Sequence, residues 1–286
     1  MDLTGVGIWS SQLRYGNPSE SADAAAELDE LGFRALWIPD VGGAVFDAVG
    51  KLLTATKRTT IATGILNLWM HEPGEVADSF ATLTAEHGDR FLLGIGVSHA
   101  PLIDAGAPGR YRKPLAATTS YLDRLDAAPR PVPAERRVLA ALGPKMLSLS
   151  ASRGAGAHPH LVTPDHTASA RSTLGQGPLL LPEQTVILCG SKDEAREIGT
   201  DWLRSYLALP NYANNLLRSG FSEDDVAQVS DRLFDAIIAW GDEAAIMRRV
   251  AEHRSAGADH VCVQVLLSDP KTFPRDQWRR IAAALT

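Results

Sequence analysis

Short runs of β-branched and aromatic residues alternate along this chain with stretches whose apolar positions recur at helical spacing. Residues 6–11 predict a first strand, and 21–31 a helix stopped by Gly32. A second strand is expected over 35–40, a helix over 46–56 and a third strand over 59–67. Residues 73–87 form an amphipathic pattern with Pro73 in the first turn and Gly88 just past the end. A fourth strand follows at 91–97 and a helix at 114–127. The rhythm continues with strands at 138–142, 160–163, 184–189 and 260–267, and with helices at 145–153, 166–174 and 276–285. Eight strands, most followed by helices, predict an α/β fold of the (β/α)8 TIM-barrel type, a single domain over 1–286. An open doubly wound sheet is the competing architecture.

The rhythm breaks once. Residues 190–259 are helical in pattern throughout and form an insertion between strands seven and eight. Four helices are expected there, at 191–207, 211–219, 222–239 and 242–256. Ser191 and Ser222 are candidate N-caps, the second with Asp225 three residues on. An insertion at this point becomes either a lid or oligomer surface, or an additional packing layer.

Composition narrows the picture without changing it. Of 286 residues, 45% are hydrophobic and 22% charged, ordinary for a globular chain. No apolar run approaches the roughly 18 residues of a membrane-spanning helix. The acidic start Met1-Asp2-Leu3-Thr4-Gly5 lacks a basic region, so no signal peptide is expected and a cytoplasmic location is. Cys189 and Cys262 lie in apolar strand-like runs and are expected as buried free thiols; zinc-type spacing is absent, so no metal site is expected. A net charge of −6 argues against nucleic acid as a partner and leaves a small molecule.

In such a barrel the chemistry belongs at the carboxyl ends of the strands. Trp9, Asp40, Gly64, Trp69, His71 and His99 all fall there, aromatic walls with a few protonatable groups. Gly94 and Gly96 alternate along one strand, where missing Cβ atoms let a planar ring approach the backbone. His99 is placed to exchange a proton near neutral pH, with His71 second. The run Ala141-Leu142-Gly143-Pro144-Lys145-Met146 passes from strand to helix and offers free backbone N–H groups, a helix dipole and one lysine to an anion. It is not a Walker loop, and Gly-Ile-Gly-Val-Ser-His at 94–99 lacks the third glycine of a dinucleotide fingerprint.

These residues resemble the bacterial-luciferase-like superfamily of flavin and deazaflavin oxidoreductases, and within it a coenzyme F420-dependent subgroup. The resemblance is carried by Ala-Ala-Glu-Leu-Asp-Glu-Leu-Gly-Phe-Arg-Ala-Leu-Trp-Ile-Pro-Asp (25–40), Ala-Thr-Gly-Ile-Leu-Asn (62–67) and Arg-Phe-Leu-Leu-Gly-Ile-Gly-Val-Ser-His (90–99). The runs at 138–146, 157–164 and 256–266 fit the subgroup. The resemblance implies a TIM barrel with an insertion before the last strand, and a deazaflavin ring against a non-prolyl cis peptide, here Gly64–Ile65. It further implies the phosphate-bearing tail at 142–146 and a homodimer; Asp40, Gly96, Val97, Ser98 and Ala141 are further candidate cofactor contacts. Sugar-phosphate dehydrogenases of this superfamily follow the strand-two aspartate with histidine and carry a glutamate after strand four. This chain has Val41 and His99 at those positions, so their proton relay is not inherited.

The reading that follows is an F420-dependent oxidoreductase acting on a small organic substrate, with His99, Asp40 and His71 as candidate catalytic residues. The alternatives are an FMN-dependent monooxygenase and a non-catalytic deazaflavin-binding protein.

Overall fold

In the computed structural model, which describes residues 3–285, eleven parallel strand segments form one continuous curled sheet. Met1 and Asp2, part of the acidic start noted above, and Thr286 lie outside the described residues. The segments are β1 (Gly5–Trp9), β2 (Ala35–Ile38), β3 (Thr60–Thr63), β4 (Leu66–Asn67), β5 (Phe91–Gly96) and β6 (Arg137–Leu139). They continue with β7 (Gly156–Ala157), β8 (Leu179–Leu180), β9 (Glu183–Leu188), β10 (Ala239–Gly241) and β11 (His260–Val265).

The sheet closes on itself. β8 pairs with β7 and β9 with β11, yet β8 and β9 are one stretch of chain interrupted only by Leu181-Pro182. Pro182 has no N–H to give, but its carbonyl still accepts from the Cys262 N–H at 3.0 Å. Counting 60–67 and 179–188 once each gives eight barrel strands, the expected (β/α)8 architecture. β10 is an extra strand laid along the upper half of β9, Ala239 facing Val186.

Inside the barrel, Trp37 is fully buried, stacked on His158 at 4.2 Å, and donates from Nε1 to His260 Nε2 at 3.2 Å. Outside, Ile8, Leu36, Leu53, Ile61, Phe91 and Val263 pack beneath the surrounding helices. Cys262 is buried, Cys189 half-buried, and both are free thiols. No described helix is long and apolar enough to cross a membrane.

The structure departs from the hydrophobic pattern at five places. The third strand is not continuous over 59–67: it leaves the ladder after Thr63, passes through a cis peptide at Gly64–Ile65 and resumes at Leu66. The fifth strand is shorter than expected, ending at Leu139. The sixth lies at Gly156–Ala157 rather than 160–163, hidden from propensity because it is built of glycine and alanine. Small residues are obligatory there, since a Cβ on Gly156 would lie 1.9 Å from the Leu179 carbonyl oxygen. In the insertion, 222–239 is not one helix. Glu223–Gln228 and Asp231–Ile237 are separated by Val229 at φ 51°, and Ala239 already belongs to β10. The capping residues act as read: Ser191 accepts from Glu194 N–H, and Ser222 and Asp225 form a full capping box. A helix at Ala100–Gly106, which the periodicity did not indicate, follows β5.

Gly94 and Gly96 do make room, but for the protein itself. A Cβ on Gly94 would stand 1.9 Å from the Thr63 carbonyl oxygen, and one on Gly96 2.7 Å from Ile65 Cγ1. Where β3 leaves the ladder, the Thr63 hydroxyl replaces it, accepting from Gly94 N–H at 2.9 Å and donating to Gly94 C=O at 2.8 Å. Gly94→Ala is therefore expected to destabilise the fold by about 3 kcal/mol, near the upper end of overpacking costs. Gly74→Ala, where an added Cβ meets nothing within 4 Å, serves as the near-neutral control. Denaturant melts of the two variants check this, and equal midpoints would refute the packing argument.

Candidate functional site

Where the strands end, a cavity of about 620 Å³ opens between the barrel and the insertion. Of the residues expected at a site, Asp40, Gly64, Ile65, Val97, Ser98, His99, Ala141, Leu142, Gly143 and Met146 line it. Gly96, Pro144, Lys145 and His71 do not, and neither does Trp69. Each absence has a local cause. Gly96 is covered by Ile65 and Ala140. Pro144 and Lys145 face outward in the first turn of the helix Pro144–Arg153, both exposed. Trp69 turns its Nε1 to the Val97 carbonyl at 2.8 Å. His71 stands behind Asp40, donating from Nε2 to Oδ2 at 2.7 Å.

Asp40 is a wall group held by several donors. Its buried carboxylate also accepts from Asn67 N–H at 3.1 Å and Gly42 N–H at 3.3 Å. Burial raises its pKa, but the bonds from His71, Asn67 and Gly42 outweigh this and hold it below the usual carboxylate range. The adjoining Gly64 carbonyl accepts from Trp9 Nε1 at 2.9 Å. A side chain on Gly64 would strike Trp9 and His158, so the chain at the cis bond is clamped from both sides.

Three histidines line the cavity, and burial keeps all three neutral. His99 falls to about 4, through burial and then the proximity of His160. His160 falls to about 3 through burial, and His158 to about 3 despite its bond to the Leu181 carbonyl. Because His158 Nδ1–H is committed to Leu181 at 2.7 Å, its Nε2 is a buried acceptor with no protein donor. His99 Nδ1 and His160 Nε2 are likewise buried without partners. His160, with His158 in the cavity floor, was foreseen only as part of a family-like run, and Glu183 behind it was not foreseen at all. Glu183 Oε2 lies 3.3 Å from His160 Nδ1, and its other oxygen accepts from the Thr185 hydroxyl at 2.6 Å. Burial pushes Glu183 up to about 7, so below that pH its carboxyl is protonated beside a neutral imidazole.

The insertion supplies the opposite wall with Tyr206, Leu209, Asn211, Tyr212, Asn214 and Arg218. Asn211 Nδ2 fastens it to the barrel by donating to the Ser98 carbonyl at 3.2 Å and the Tyr111 hydroxyl at 3.3 Å. The sequence marked this segment as a lid or packing layer; only its polar-aromatic run 211–215 hinted at a lining role. Arg218 is the basic residue of the cavity among those described, close to Gly143 where the helix Pro144–Arg153 begins. A Cβ on Gly143 would meet nothing nearer than the Arg218 guanidinium at 3.9 Å, so this backbone is open to a ligand.

Titration of Glu183 has a defined sign. Its folded pKa exceeds the unfolded value, so the native state binds more protons between roughly pH 4.5 and 7, and stability is lost as pH rises through that window. Relative to Glu183→Gln, the wild type should lose on the order of 3 kcal/mol between pH 5 and pH 8. Parallel urea titrations of both proteins at the two pH values measure this, and identical pH slopes would contradict the assignment.

Residues 3–128 match the family model of the luciferase-like monooxygenases, and that stretch contains the runs 25–40, 62–67 and 90–99 that carry the resemblance. A candidate coenzyme F420-dependent oxidoreductase of Mycobacterium tuberculosis is 30% identical over 123 residues, 41% of this chain and 33% of the relative. An F420-dependent glucose-6-phosphate dehydrogenase of Intrasporangium calvum is 31% identical over 104 residues, 32% of this chain and 31% of that protein. The chain thus spans about a third of the length of these relatives. Among solved structures, an F420-dependent secondary alcohol dehydrogenase bound to an F420-acetone adduct superposes at TM-score 0.76, with 15% identity over 100% of this chain and 98% of that one. The FMN-bound oxygenating component of a Baeyer–Villiger monooxygenase from Pseudomonas putida gives 0.69, with 14% identity over 98% and 96%. At these identities the superpositions establish the TIM barrel as the fold.

Proposed function

We propose that this luciferase-like barrel is a coenzyme F420-dependent oxidoreductase acting on a small organic substrate. One observation carries the reading: a single cavity joins the clamped Gly64–Ile65 segment to an anion-receptive end at Gly143 and Arg218. Its volume, about 620 Å³, suits an extended coenzyme with a small substrate beside it. The chemistry of the lining fits the group. An orphaned acceptor at His158 Nε2 suits a ligand N–H or O–H, open backbone at Gly143 suits phosphate, and Ile65 and Val97 supply apolar surface. When bound, the deazaflavin supplies hydride exchange at C5.

The chain's own residues do the rest. Gly64, Ile65, Val97 and Ser98 would hold the ring, and Ala141, Leu142, Gly143, Met146 and Arg218 the tail. Asp40, fixed by His71, keeps the wall beside Asn67 in place and presents a charged edge. His99, neutral at pH 7, accepts the proton of a substrate hydroxyl or returns it in the reverse direction. The insertion covers this space and limits access of water to it.

A second reading, an FMN-dependent monooxygenase, is favoured by the FMN-bound neighbour on the same barrel. Titration with each coenzyme separates the two: quenching of deazaflavin fluorescence without FMN affinity supports the first, and the converse supports the second. Arg218→Ala is expected to weaken deazaflavin binding by about 1–3 kcal/mol, and Lys145→Ala by less than about 0.5, because only Arg218 lines the cavity. The reverse ranking would return the tail to the exposed lysine. His99→Gln is expected to lower kcat by about a hundredfold or more while coenzyme affinity holds. Turnover at the full rate would remove His99 from the reaction.

A further inference from the structure

Part of the cavity lining is aromatic, and none of the groups in that part is cationic. Trp9, His160, Tyr206, Tyr212 and His99 form one connected set, ring centroids 4.7 to 5.8 Å apart along the chain of contacts. No described lysine lines the cavity, and its one arginine belongs to the Gly143 end. The mouth continues the character. Among the described residues, the large hydrophobic side chains left exposed are Tyr15, Val41, Met70 and Leu102, and three of them line the cavity. Two arginines flanking the mouth are held by carbonyls, Arg14 by Gly42 at 2.9 Å and Arg110 by Trp69, while Arg112 and Lys113 are exposed outside the cavity lining. Beneath lie two carboxyl groups, Asp40 on one side and Glu183 behind His160.

Resting on the coenzyme reading above, we infer that the substrate is an uncharged cyclic or aromatic alcohol or carbonyl compound, and that the aromatic end excludes carboxylated and phosphorylated ones. A flat apolar body stacks on the tryptophan and tyrosine faces. Its single oxygen finds hydrogen-bonding partners in His99 and in the hydroxyls of Tyr206 and Tyr212. An anionic group placed there would lose its water, meet no cation and sit above two carboxyls. The sugar phosphate named for one of the relatives is thus the kind of molecule this end rejects.

A matched pair tests the charge alone: benzyl alcohol against 4-(hydroxymethyl)benzoate, which adds one carboxylate to the same ring. Dissociation constants are read from quenching of tryptophan fluorescence, with and without saturating coenzyme, and turnover from the deazaflavin absorbance. Benzyl alcohol is expected to bind about tenfold or more tightly than the benzoate. Leu102→Lys, on the exposed rim, is expected to close that gap by raising affinity for the benzoate relative to benzyl alcohol. Equal or tighter binding of the benzoate by the wild type overturns the inference, as does failure of benzyl alcohol to bind coenzyme-loaded protein. Absence of coenzyme binding overturns the coenzyme reading instead, and the binding arm without coenzyme then decides the charge preference separately.

Discussion

The approach of β5 to β3 and β4 is closer than any side chain permits, and the rest of the site depends on it. At Gly94 the neighbour is the Thr63 carbonyl, and at Gly96 it is the Ile65 side chain. With both Cβ atoms absent, the chain at 63–67 leaves the ladder and turns its backbone toward the cavity. Three side chains from neighbouring strand ends then fix it. Thr63 bonds Gly94, Trp9 bonds the Gly64 carbonyl, and Asp40 receives Asn67 N–H. Asp40 is itself braced by His71, so a histidine that never reaches the cavity still shapes its wall.

Burial governs the charge of this site more than formal composition does. Low-dielectric surroundings disfavour the ionised form of any group, so His99, His158 and His160 are neutral and Glu183 holds its proton to about pH 7. Asp40 is the exception because it alone gathers enough donors to offset burial. A chain with net charge −6 can still receive an anion, since the positive end is local: one guanidinium and the first turn of one helix. The result is a cavity with a charged end and an aromatic end.

The insertion completes that division. Tyr206, Tyr212 and Arg218 all come from it, so both ends of the cavity rely on a segment that is not part of the barrel rhythm. Its attachment through Asn211 to Ser98 and Tyr111 ties the insertion to the segment that follows β5. Barrel strands thus supply the fixed floor, while the insertion supplies much of the wall that meets a substrate.

Local signals sufficed for a good part of this protein. The strand-helix rhythm determined the barrel, the serine caps set two helix starts, and strand ends such as Asp40, Gly64 and His99 marked the cavity rim. Each depends on residues within a turn or two of one another, where propensity and capping act. Tertiary structure decided the remainder. A glycine-alanine strand at 156–157 shows no propensity because its register is dictated by Leu179 across the sheet. Lys145 and Arg218 are both basic, yet only packing of the insertion brings Arg218 to the cavity. Glu183 and His160 stand 23 residues apart, and Glu183 keeps its proton beside a neutral His160 only because the closed barrel removes both from water. Sequence by itself determined where the chain is strand, helix or cap; proximity and desolvation, which arise only on closing the barrel, decided what the side chains are charged to do.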